Sequence, residues 1–303
     1  MTTGDAEPDE HLRVFIEHRP LLFTIAYEIL GAATESDDVL QESYLRWAAV
    51  DLSGVDDRRA YLAKIVTRQA LNAARTAMRR REDYIGPWLP EPILLDENDP
   101  VDDVVLAESV STAMLVVLQS LSPDERAVFV LREVFGFAHD EIAAMLGKRA
   151  AAVRQTAHRA RGHVQSRRPR YTPADDEAAA EVTRAFLDAA SSGEIDALIG
   201  ALAPDVTFIA DSDGKASAAR RPIQGAQRVA RVLRGFVTTG VRRDMRIELL
   251  SINGMPGFSV ELTGDPGGVF WLDVVDGRIQ HIYAMRNPDK LGGLDTPRSI
   301  ARN

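Results

Sequence analysis

Apolar residues recur every three to four positions along the first part of the chain, a period that predicts amphipathic helices rather than strands. The first helical pattern covers residues 12–30 and stops at Gly31. In the second, Thr34 or Ser36 is expected to cap the N-terminus, because a short hydroxyl side chain accepts a hydrogen bond from a free backbone N–H group. Trp47 lies on the apolar side of this second helix, so we expect it in the core.

A third helical pattern, over residues 57–81, combines an apolar side with a run of positive charge. From position 58 onwards it contains no Asp or Glu, whereas a solvated helix normally mixes both signs. Its basic residues are Arg58, Arg59, Lys64, Arg68, Arg75, Arg79, Arg80 and Arg81. This helix is a candidate DNA contact, with an ordinary solvated basic face as the alternative.

A second stretch without acidic residues, at residues 148–170, follows a short helical pattern at residues 140–146. Gly147 joins the two, and two short helices joined by a glycine-containing turn are typical of a helix-turn-helix, whose second helix enters the major groove. Side chains at the core spacing leave an outer face with Lys148, Arg149, Ala152, Arg154, Gln155, His158 and Arg159. Guanidinium groups suit phosphates and guanine edges and Gln suits adenine, so this face predicts DNA binding; a solvated basic helix is the alternative.

Between the two basic stretches, the chain changes character over residues 85–103. Four prolines exclude a regular helix, and all the charged side chains are acidic, which indicates a linker with an extended part. Trp88 and Leu89 are unusual in a free linker, so we expect them to dock on a folded domain. Helices resume near residue 104, and Ser122-Pro123-Asp124-Glu125 is a strong helix start, with a capping hydroxyl, proline at the first position and acids in the first turn.

After residue 170 the pattern shifts from helical to alternating. Two helices are predicted over residues 175–202 and another over 223–237, with strands at 206–210, 245–252, 257–262, 269–275 and 278–284. Asp276-Gly277 between two apolar runs predicts a hairpin turn. Helices followed by a mostly antiparallel sheet imply a separate α+β domain.

Composition sets limits on function. The chain has 303 residues with a net charge of −9, which by itself argues against a nucleic-acid partner, but the basic residues are clustered and salt screens fields beyond about 8 Å. The absence of Cys excludes disulfides, thiol switches and cysteine-ligated metals. No apolar run approaches the ~18 residues of a membrane span, so we expect a cytoplasmic protein without a membrane partner. As separate expectations, the chain needs no metal or cofactor and is not an enzyme.

The order of these motifs resembles the extracytoplasmic function (ECF) group of bacterial RNA polymerase sigma factors over about residues 11–170. Residues 37–47 are similar to the family's polymerase-clamp-binding helix, residues 61–68 to the start of its −10-element helix, and residues 121–161 to its −35-reading domain. Trp88-Leu89-Pro90-Glu91-Pro92 and Asn287-Pro288-Asp289-Lys290 resemble a subgroup with a fused SnoaL-like domain. Where that subgroup has an Asp-Gly-Gly-Gly motif this chain has Asp211-Ser212-Asp213-Gly214-Lys215, and Asn72 stands where Asp is common.

The resemblance implies two all-α sigma domains, the second with the helix-turn-helix, and a C-terminal α+β cone domain of the nuclear transport factor 2 type. The expected segments are a disordered 1–10, a region 2 domain at 11–84, a linker at 85–103, a region 4 domain at 104–169 and a SnoaL-like regulatory domain at 174–300. The implied partners are core RNA polymerase, at Asp38, Gln41 and Glu42, and promoter DNA, at Arg58, Arg59, Lys64, Arg68, Asn72 and Arg75 for the −10 element and at the outer face of residues 148–159 for the −35 element. The implied regulatory residues are Trp88, Leu89, Pro90, Asp211, Asp213, Gly214, Asn287, Pro288, Asp289 and Lys290.

For the last domain, three roles stay open: a protein–protein regulatory interface, which we favour, sensing of an unidentified small molecule, and catalysis. Asp205, Asp211, Asp213, Arg246, Trp271, Asp273 and His281 could line a pocket, and an Asp–His pair could act as general acid and base. We further hypothesise that the 287–290 motif lies beside Trp88-Leu89-Pro90 and holds the DNA-binding halves in an inactive arrangement. For the whole chain, the alternative is a conventional helix-turn-helix regulator with a ligand domain, which needs no second basic helix.

Overall fold

The computed structural model describes residues 10–80, 83–95, 103–167, 176–192, 194–241 and 245–302. The predicted disordered N-terminus lies outside these residues except for Glu10, and so do the basic residues Arg81, Arg168 and Arg170. Within the described residues, no helix combines the length and apolar character needed to span a membrane.

The order of elements is helical first and then mixed. The helices are α1 (Glu10–Leu30), α2 (Ala33–Trp47), α3 (Arg58–Arg80), α4 (Val104–Val110), α5 (Thr112–Leu118), α6 (Pro123–Phe129), α7 (His139–Leu146), α8 (Ala150–Gln165), α9 (Asp176–Ser192), α10 (Ile195–Ala201) and α11 (Ala226–Val241). The strands are β1 (Leu202–Asp211), β2 (Ile223–Gln224), β3 (Arg246–Ile252), β4 (Met255–Leu262), β5 (Asp265–Val275) and β6 (Arg278–Met285). Residues 223–237, predicted as one helix, therefore begin with a short strand, and the helix starts at Ala226.

These elements form two compact units that cut across the expected domain boundaries. The first unit comprises Met1–Arg79, Leu118–Arg167 and Ser299–Asn303, and the second comprises Arg80–Val117 and Arg168–Arg298. The first unit therefore holds α1–α3 together with the helix-turn-helix, while the linker, α4 and most of α5 belong to the unit that contains the sheet.

In the first unit, α2 begins without a side-chain cap, so the expectation that Thr34 or Ser36 caps it is wrong. Gly31, at φ 69°, ends α1, and the extended Ala32 starts the next helix earlier than the hydroxyl residues would. The Ser36 hydroxyl instead lies buried and donates to the Ala32 carbonyl over 2.6 Å. Trp47 is fully buried, which confirms its predicted place in the core.

The helix-turn-helix forms as predicted. The Ser122 hydroxyl and the Glu125 carboxylate make a reciprocal capping box at the start of α6, which continues into a π-helical turn at Val130–Val134. Gly147, at φ 64°, ends α7 in the left-handed conformation that glycine adopts without steric cost. Ile142 of α7 and Val153 of α8 are fully buried, so the two helices share one small core.

In the second unit, the described strands form one sheet in the order β2-β1-β6-β5-β4-β3. β1 and β6 are parallel, and the other neighbours are antiparallel. The predicted turn between β5 and β6 has Asp276 at φ 51° and Gly277 at φ 72°, as a type I′ hairpin requires. Helices packed on a curved antiparallel-rich sheet give the α+β architecture expected of a SnoaL-like domain.

The two faces of this sheet carry different partners because side chains alternate along a strand. Phe208, Phe258 and Phe270 lie in the apolar core that α9, α10 and α11 share with the sheet. Trp271 and Tyr283 lie in a second core on the other face, and its other members include Met285, Leu89 of the linker and Val116 of α5. The predicted docking of the linker is thereby confirmed.

Candidate nucleic-acid interface and linker clasp

The basic side chains of α3 lie on the polar side of a helix whose apolar side is buried at Leu62, Ala63 and Val66. Several of them contact groups within the first unit. Arg58 pairs with Glu10 at 2.7 Å, Arg59 donates to the Arg302 carbonyl over 3.2 Å, and Lys64 lies 6.0 Å from the centre of the Tyr61 ring. Asn72 is exposed.

Arg68 contacts the helix-turn-helix directly. Its Nε donates to the Met145 carbonyl over 2.6 Å and its Nη2 to the Ala144 carbonyl over 3.3 Å. Both carbonyls belong to the last turn of α7, where backbone acceptors lack partners within the helix and the helix dipole is negative. A guanidinium at this position therefore stabilises the end of α7 and joins α3 to it.

Asp124 provides a second link between α3 and the helix-turn-helix. Its carboxylate lies 2.9 Å from Arg75 of α3 and 3.0 Å from Lys148 in the turn before α8. Arg75 and Lys148 are a predicted −10 contact and a predicted −35 contact, so one acidic side chain holds a cation from each set.

The outer face of α8 is exposed as predicted, at Arg149, Arg154, Gln155, His158 and Arg159. Arg154 lies 3.9 Å from Asp140 and Arg159 lies 3.7 Å from Glu125, distances at which exposed ion pairs contribute little. The Arg154 and Arg159 side chains are therefore held only loosely.

The polar face of α2 presents the predicted polymerase contacts. Asp38, Gln41 and Glu42 are all exposed, and Glu42 accepts a hydrogen bond of 2.7 Å from Gln69. Leu45 on the same helix is 71% exposed, so an apolar side chain accompanies the acids. A surface that mixes acids with an exposed leucine is suited to a protein partner.

The predicted regulatory residues meet in the second unit at a buried carboxylate. Asp211 is fully buried at the end of β1 and accepts hydrogen bonds from the Tyr84 hydroxyl, from the Leu89 backbone N–H over 2.7 Å and from the Lys290 ammonium over 2.8 Å. Asn287 donates to the Tyr84 hydroxyl over 2.9 Å. We call these five residues the clasp, because they fasten the linker to the ends of β1 and β6.

Lys290 completes the clasp from the short 3₁₀ turn Pro288–Lys290. Its ammonium also donates to the Leu89 carbonyl over 2.8 Å and lies 3.2 Å from the centre of the Trp88 ring. A cation over an aromatic face is attracted by the ring quadrupole, most strongly when water is excluded. Burial raises the pKa of the Tyr84 hydroxyl, as does its hydrogen bond to Asp211, so the hydroxyl keeps the proton that it donates.

The remaining regulatory residues surround the clasp. The Asp213 carboxylate accepts from the Ile85 backbone N–H over 3.1 Å, and Lys215 bridges Asp213 and Asp289. Gly214, at φ 70°, lies against Ile85, where a Cβ atom would be 3.4 Å from the isoleucine side chain. Pro90 is buried beside the clasp residue Leu89.

A cavity of about 350 Å³ lies on the opposite face of the sheet, and its described lining contains none of the residues proposed from the sequence. Asp273 and His281 do form a hydrogen-bonded pair, at 2.8 Å, but His281 stacks on Tyr283 and so lies on the face that carries the linker. The pair therefore does not belong to the described lining of this cavity.

Two segments of the chain match known protein families. Residues 14–80 match the family described as sigma-70 region 2, and residues 111–164 match sigma-70 region 4. The chain is 37% identical over 285 residues to the ECF RNA polymerase sigma factor SigJ of Mycobacterium tuberculosis, covering 91% of each chain. This chain belongs to the ECF sigma factors of RNA polymerase.

Two further comparisons extend over the whole sigma factor. The probable ECF sigma factor SigI of M. tuberculosis is 31% identical over 284 residues, covering 91% of this chain and 93% of that one. The crystal structure of M. tuberculosis SigJ matches with a TM-score of 0.74 and 31% identity, covering 94% of this chain and 99% of that one. The likeness therefore includes the second unit as well as the sigma regions.

Three residues of this sigma factor's site were not found from the sequence. Tyr84 stands between the basic helix and the prolines, where no pattern indicates that its hydroxyl contacts a buried carboxylate. Asn253-Gly254 is a hairpin signal, but the second role of Asn253 is not readable: its amide accepts from the Ile93 N–H over 3.2 Å and donates to the Val110 carbonyl over 2.9 Å. Arg286 directly precedes the Asn287 motif and is buried in the cavity wall.

Proposed function

We propose that this chain binds core RNA polymerase through the exposed face of α2 and directs it to promoters, with α3 at the −10 element and α8 at the −35 element. The exposed acids of α2 and the basic faces of α3 and α8 support these assignments. Arginine and glutamine on a helix that enters the major groove are suited to reading base edges.

The observation that carries our proposal for regulation is the hydrogen bonding of Arg68 to the end of α7. While the Nε and Nη2 groups of Arg68 donate to the Met145 and Ala144 carbonyls, these two groups cannot also donate to promoter DNA. Arg75 is likewise paired with Asp124. We call this the closed arrangement, and binding at the −10 element through these side chains requires it to open.

The clasp is the proposed regulator of that opening. Residues 80–117, which join α3 to the helix-turn-helix part of the first unit along the chain, belong to the second unit, where the clasp holds Tyr84 and Leu89. A fixed connection limits how far the segments on either side of it can separate. Release of the clasp then favours the open form and raises transcription, which makes the second unit a built-in regulator.

The test is run-off transcription with core RNA polymerase and a selected genomic promoter library, using the full chain throughout. Truncation after residue 170 is unsuitable because residues 299–303 belong to the first unit. We would compare the natural sequence with Tyr84→Phe combined with Asn287→Ala, which removes hydrogen bonds of the clasp. Asp205→Asn is the matched control, since Asp205 is exposed in the same unit and lies outside the clasp.

Promoter-specific transcripts from the natural sequence, increased several-fold in the clasp variant and unchanged in the control, are the expected result. Transcripts that do not differ between the clasp variant and the natural sequence would contradict the regulatory proposal. Failure of every version to initiate, despite duplex DNA binding, would contradict the assignment of promoter-directed initiation.

A further inference from the structure

The cavity of the second unit has the size and lining of a ligand site. It measures about 350 Å³ and is lined by aromatic and aliphatic side chains that include Phe208, Phe236, Phe270 and Leu262. An apolar cavity of ~150 Å³ is enough to bind benzene, and ligand pockets begin at about 300 Å³. The space therefore fits a small molecule with one or two rings.

One lining residue gives the cavity a polarity. Arg286 is 5% exposed, and its guanidinium is oriented by bonds to the Ser217 carbonyl at 2.6 Å and the Gly267 carbonyl at 3.1 Å. The same group lies 5.5 Å from the centre of the Phe236 ring. A fixed positive charge in an apolar wall attracts an anionic oxygen and repels a cation, and the low dielectric strengthens both effects.

We propose that this cavity binds a small, largely apolar aromatic molecule that carries an anionic group, with the ring among the phenylalanines and the anion toward Arg286. The proposal does not require catalysis, because the Asp273–His281 pair lies on the other face of the sheet. Val232 of α11 lines the cavity and is 38% exposed, so it lies at the rim of the cavity.

The cavity and the clasp share two strand ends. Ala210 lines the cavity and the next residue, Asp211, is the centre of the clasp; Arg286 lines the cavity and the next residue, Asn287, belongs to the clasp. Successive side chains of a strand point to opposite faces, which places the ligand on one side and the linker on the other. The backbone N–H of Arg286 donates to the backbone carbonyl of Asp211 over 2.7 Å, so the two strand ends are joined at this point.

When the ligand's anion binds Arg286 and shifts it, the backbone that positions Asn287 and Asp211 shifts as well. Ligand binding therefore changes the stability of the clasp. This part of the inference names the signal for the regulation proposed above and rests on that proposal for any effect on transcription. Binding, and its effect on the linker, are measured without polymerase, so they are tested separately.

The probe is naphthalene-1-sulfonate, a fluorescent aromatic molecule with two fused rings and one sulfonate. We would titrate it into the full chain, following fluorescence and heat, and measure hydrogen exchange of the Leu89 amide, which donates to Asp211. Val232→Trp places a large side chain at the rim of the cavity, and Ile247→Trp is its matched control, because Ile247 is an exposed aliphatic residue of the same unit outside the described lining. Arg286→Met removes the charge, and near-ultraviolet circular dichroism checks its fold.

One equivalent of probe should bind the natural sequence and Ile247→Trp alike, with affinity at least ten-fold lower for Val232→Trp and Arg286→Met. Exchange of the Leu89 amide should change with probe in the natural sequence and not in Val232→Trp. Equal binding by the two tryptophan variants would overturn the site, since the probe would then be on the general surface. Binding in the cavity without a change at Leu89 would overturn the link to the clasp.

Discussion

The Lys290 ammonium lies 2.8 Å from the Asp211 carboxylate, with exposed fractions of 4% and 0% for the two side chains. A buried ion pair contributes little net stability by itself, but removal of one partner leaves an uncompensated charge, at a cost of about 3–5 kcal/mol. The clasp is therefore sensitive to the loss of either group.

We predict that Lys290→Met lowers the free energy of unfolding of the second unit by about 3–5 kcal/mol, and that adding Asp211→Asn restores much of the loss because no buried charge remains. Native-state hydrogen exchange of the β5 and β6 amides measures this unit separately. Lys215→Met is the control, since the Lys215–Asp289 pair is exposed and its loss costs at most ~1 kcal/mol. Equal effects of the two lysine substitutions would show that Lys290 is not electrostatically buried.

Asn253 is a second point, outside the clasp, at which the linker is held. Its φ of 53° suits Asn or Gly, and its amide bonds both Ile93 and the Val110 carbonyl. Asn253→Gly keeps the backbone conformation and loses the side-chain amide. We therefore expect the free energy of opening at the Ile93 backbone N–H to fall by about 1–3 kcal/mol, so that this N–H exchanges faster. Asn253→Ala adds backbone strain and should exchange faster still; equal rates in the natural sequence and in Asn253→Gly would contradict the role of the amide.

Local signals in the sequence predicted most of the elements. Ser122-Pro123-Asp124-Glu125 predicted the start of α6 because a capping box involves only neighbours in the chain. Trp88 and Leu89 predicted a docked linker because large apolar side chains are buried whichever surface they dock on. The cap proposed for α2 failed because Ser36 lies in the core, and tertiary burial decides what its hydroxyl contacts.

The cavity lining was out of reach for a different reason. A one-residue error in strand register reverses the face of every side chain, and β5 contains an irregularity between Asp273 and Val274 that alternation alone does not reveal. The grouping of residues 80–117 with the sheet depends on long-range contacts, such as the 2.8 Å bond from the Trp271 indole to Thr112, which leave no pattern in either segment.

Asp124 offers a direct test of the closed arrangement. Asp124→Ala releases Arg75 and Lys148, so we expect tighter non-specific duplex binding and a slope of log affinity against log salt that is steeper by up to ~2, about 0.9 for each added phosphate contact. Fluorescence anisotropy at several salt concentrations measures both quantities. Asp37→Ala is the matched control, because it removes the same charge in the same unit and releases Arg19, which is outside the proposed DNA faces. Identical slopes for the two variants would exclude Asp124 as a restraint on DNA binding.

The capping box predicts a pH dependence. The Ser122 hydroxyl holds the pKa of Glu125 below its usual value, so the folded state takes up this proton only at lower pH than the unfolded state does. The corresponding stability is present above the ordinary glutamate pKa of ~4.3 and is lost as the pH falls through the lower folded value. Hydrogen exchange of the α6 amides between about pH 3 and 6 should show this slope.

Two substitutions of Ser122 separate the hydroxyl from the cap. Ser122→Ala should lower the stability of α6 by about 1 kcal/mol and reduce the slope of stability against pH. Ser122→Gly should lower the stability by only a few tenths of a kcal/mol and reduce that slope equally. If the slope survives in both variants, it belongs to another carboxylate.

Residues 300–302 occupy part of the proposed −10 surface and should restrain it. The Ala301 N–H donates to the Thr24 hydroxyl over 3.1 Å, Ile300 is buried, and the Arg302 carbonyl accepts from Arg59 over 3.2 Å. Ala301→Pro deletes the N–H donor, so the segment should detach and leave Arg59 available to phosphates. We expect DNA affinity to rise several-fold by anisotropy, and the gain to disappear when Arg59→Ala is added. Ala301→Gly retains the N–H and is the matched control, so equal DNA affinity in the proline and glycine variants would show that this segment does not compete with DNA for Arg59.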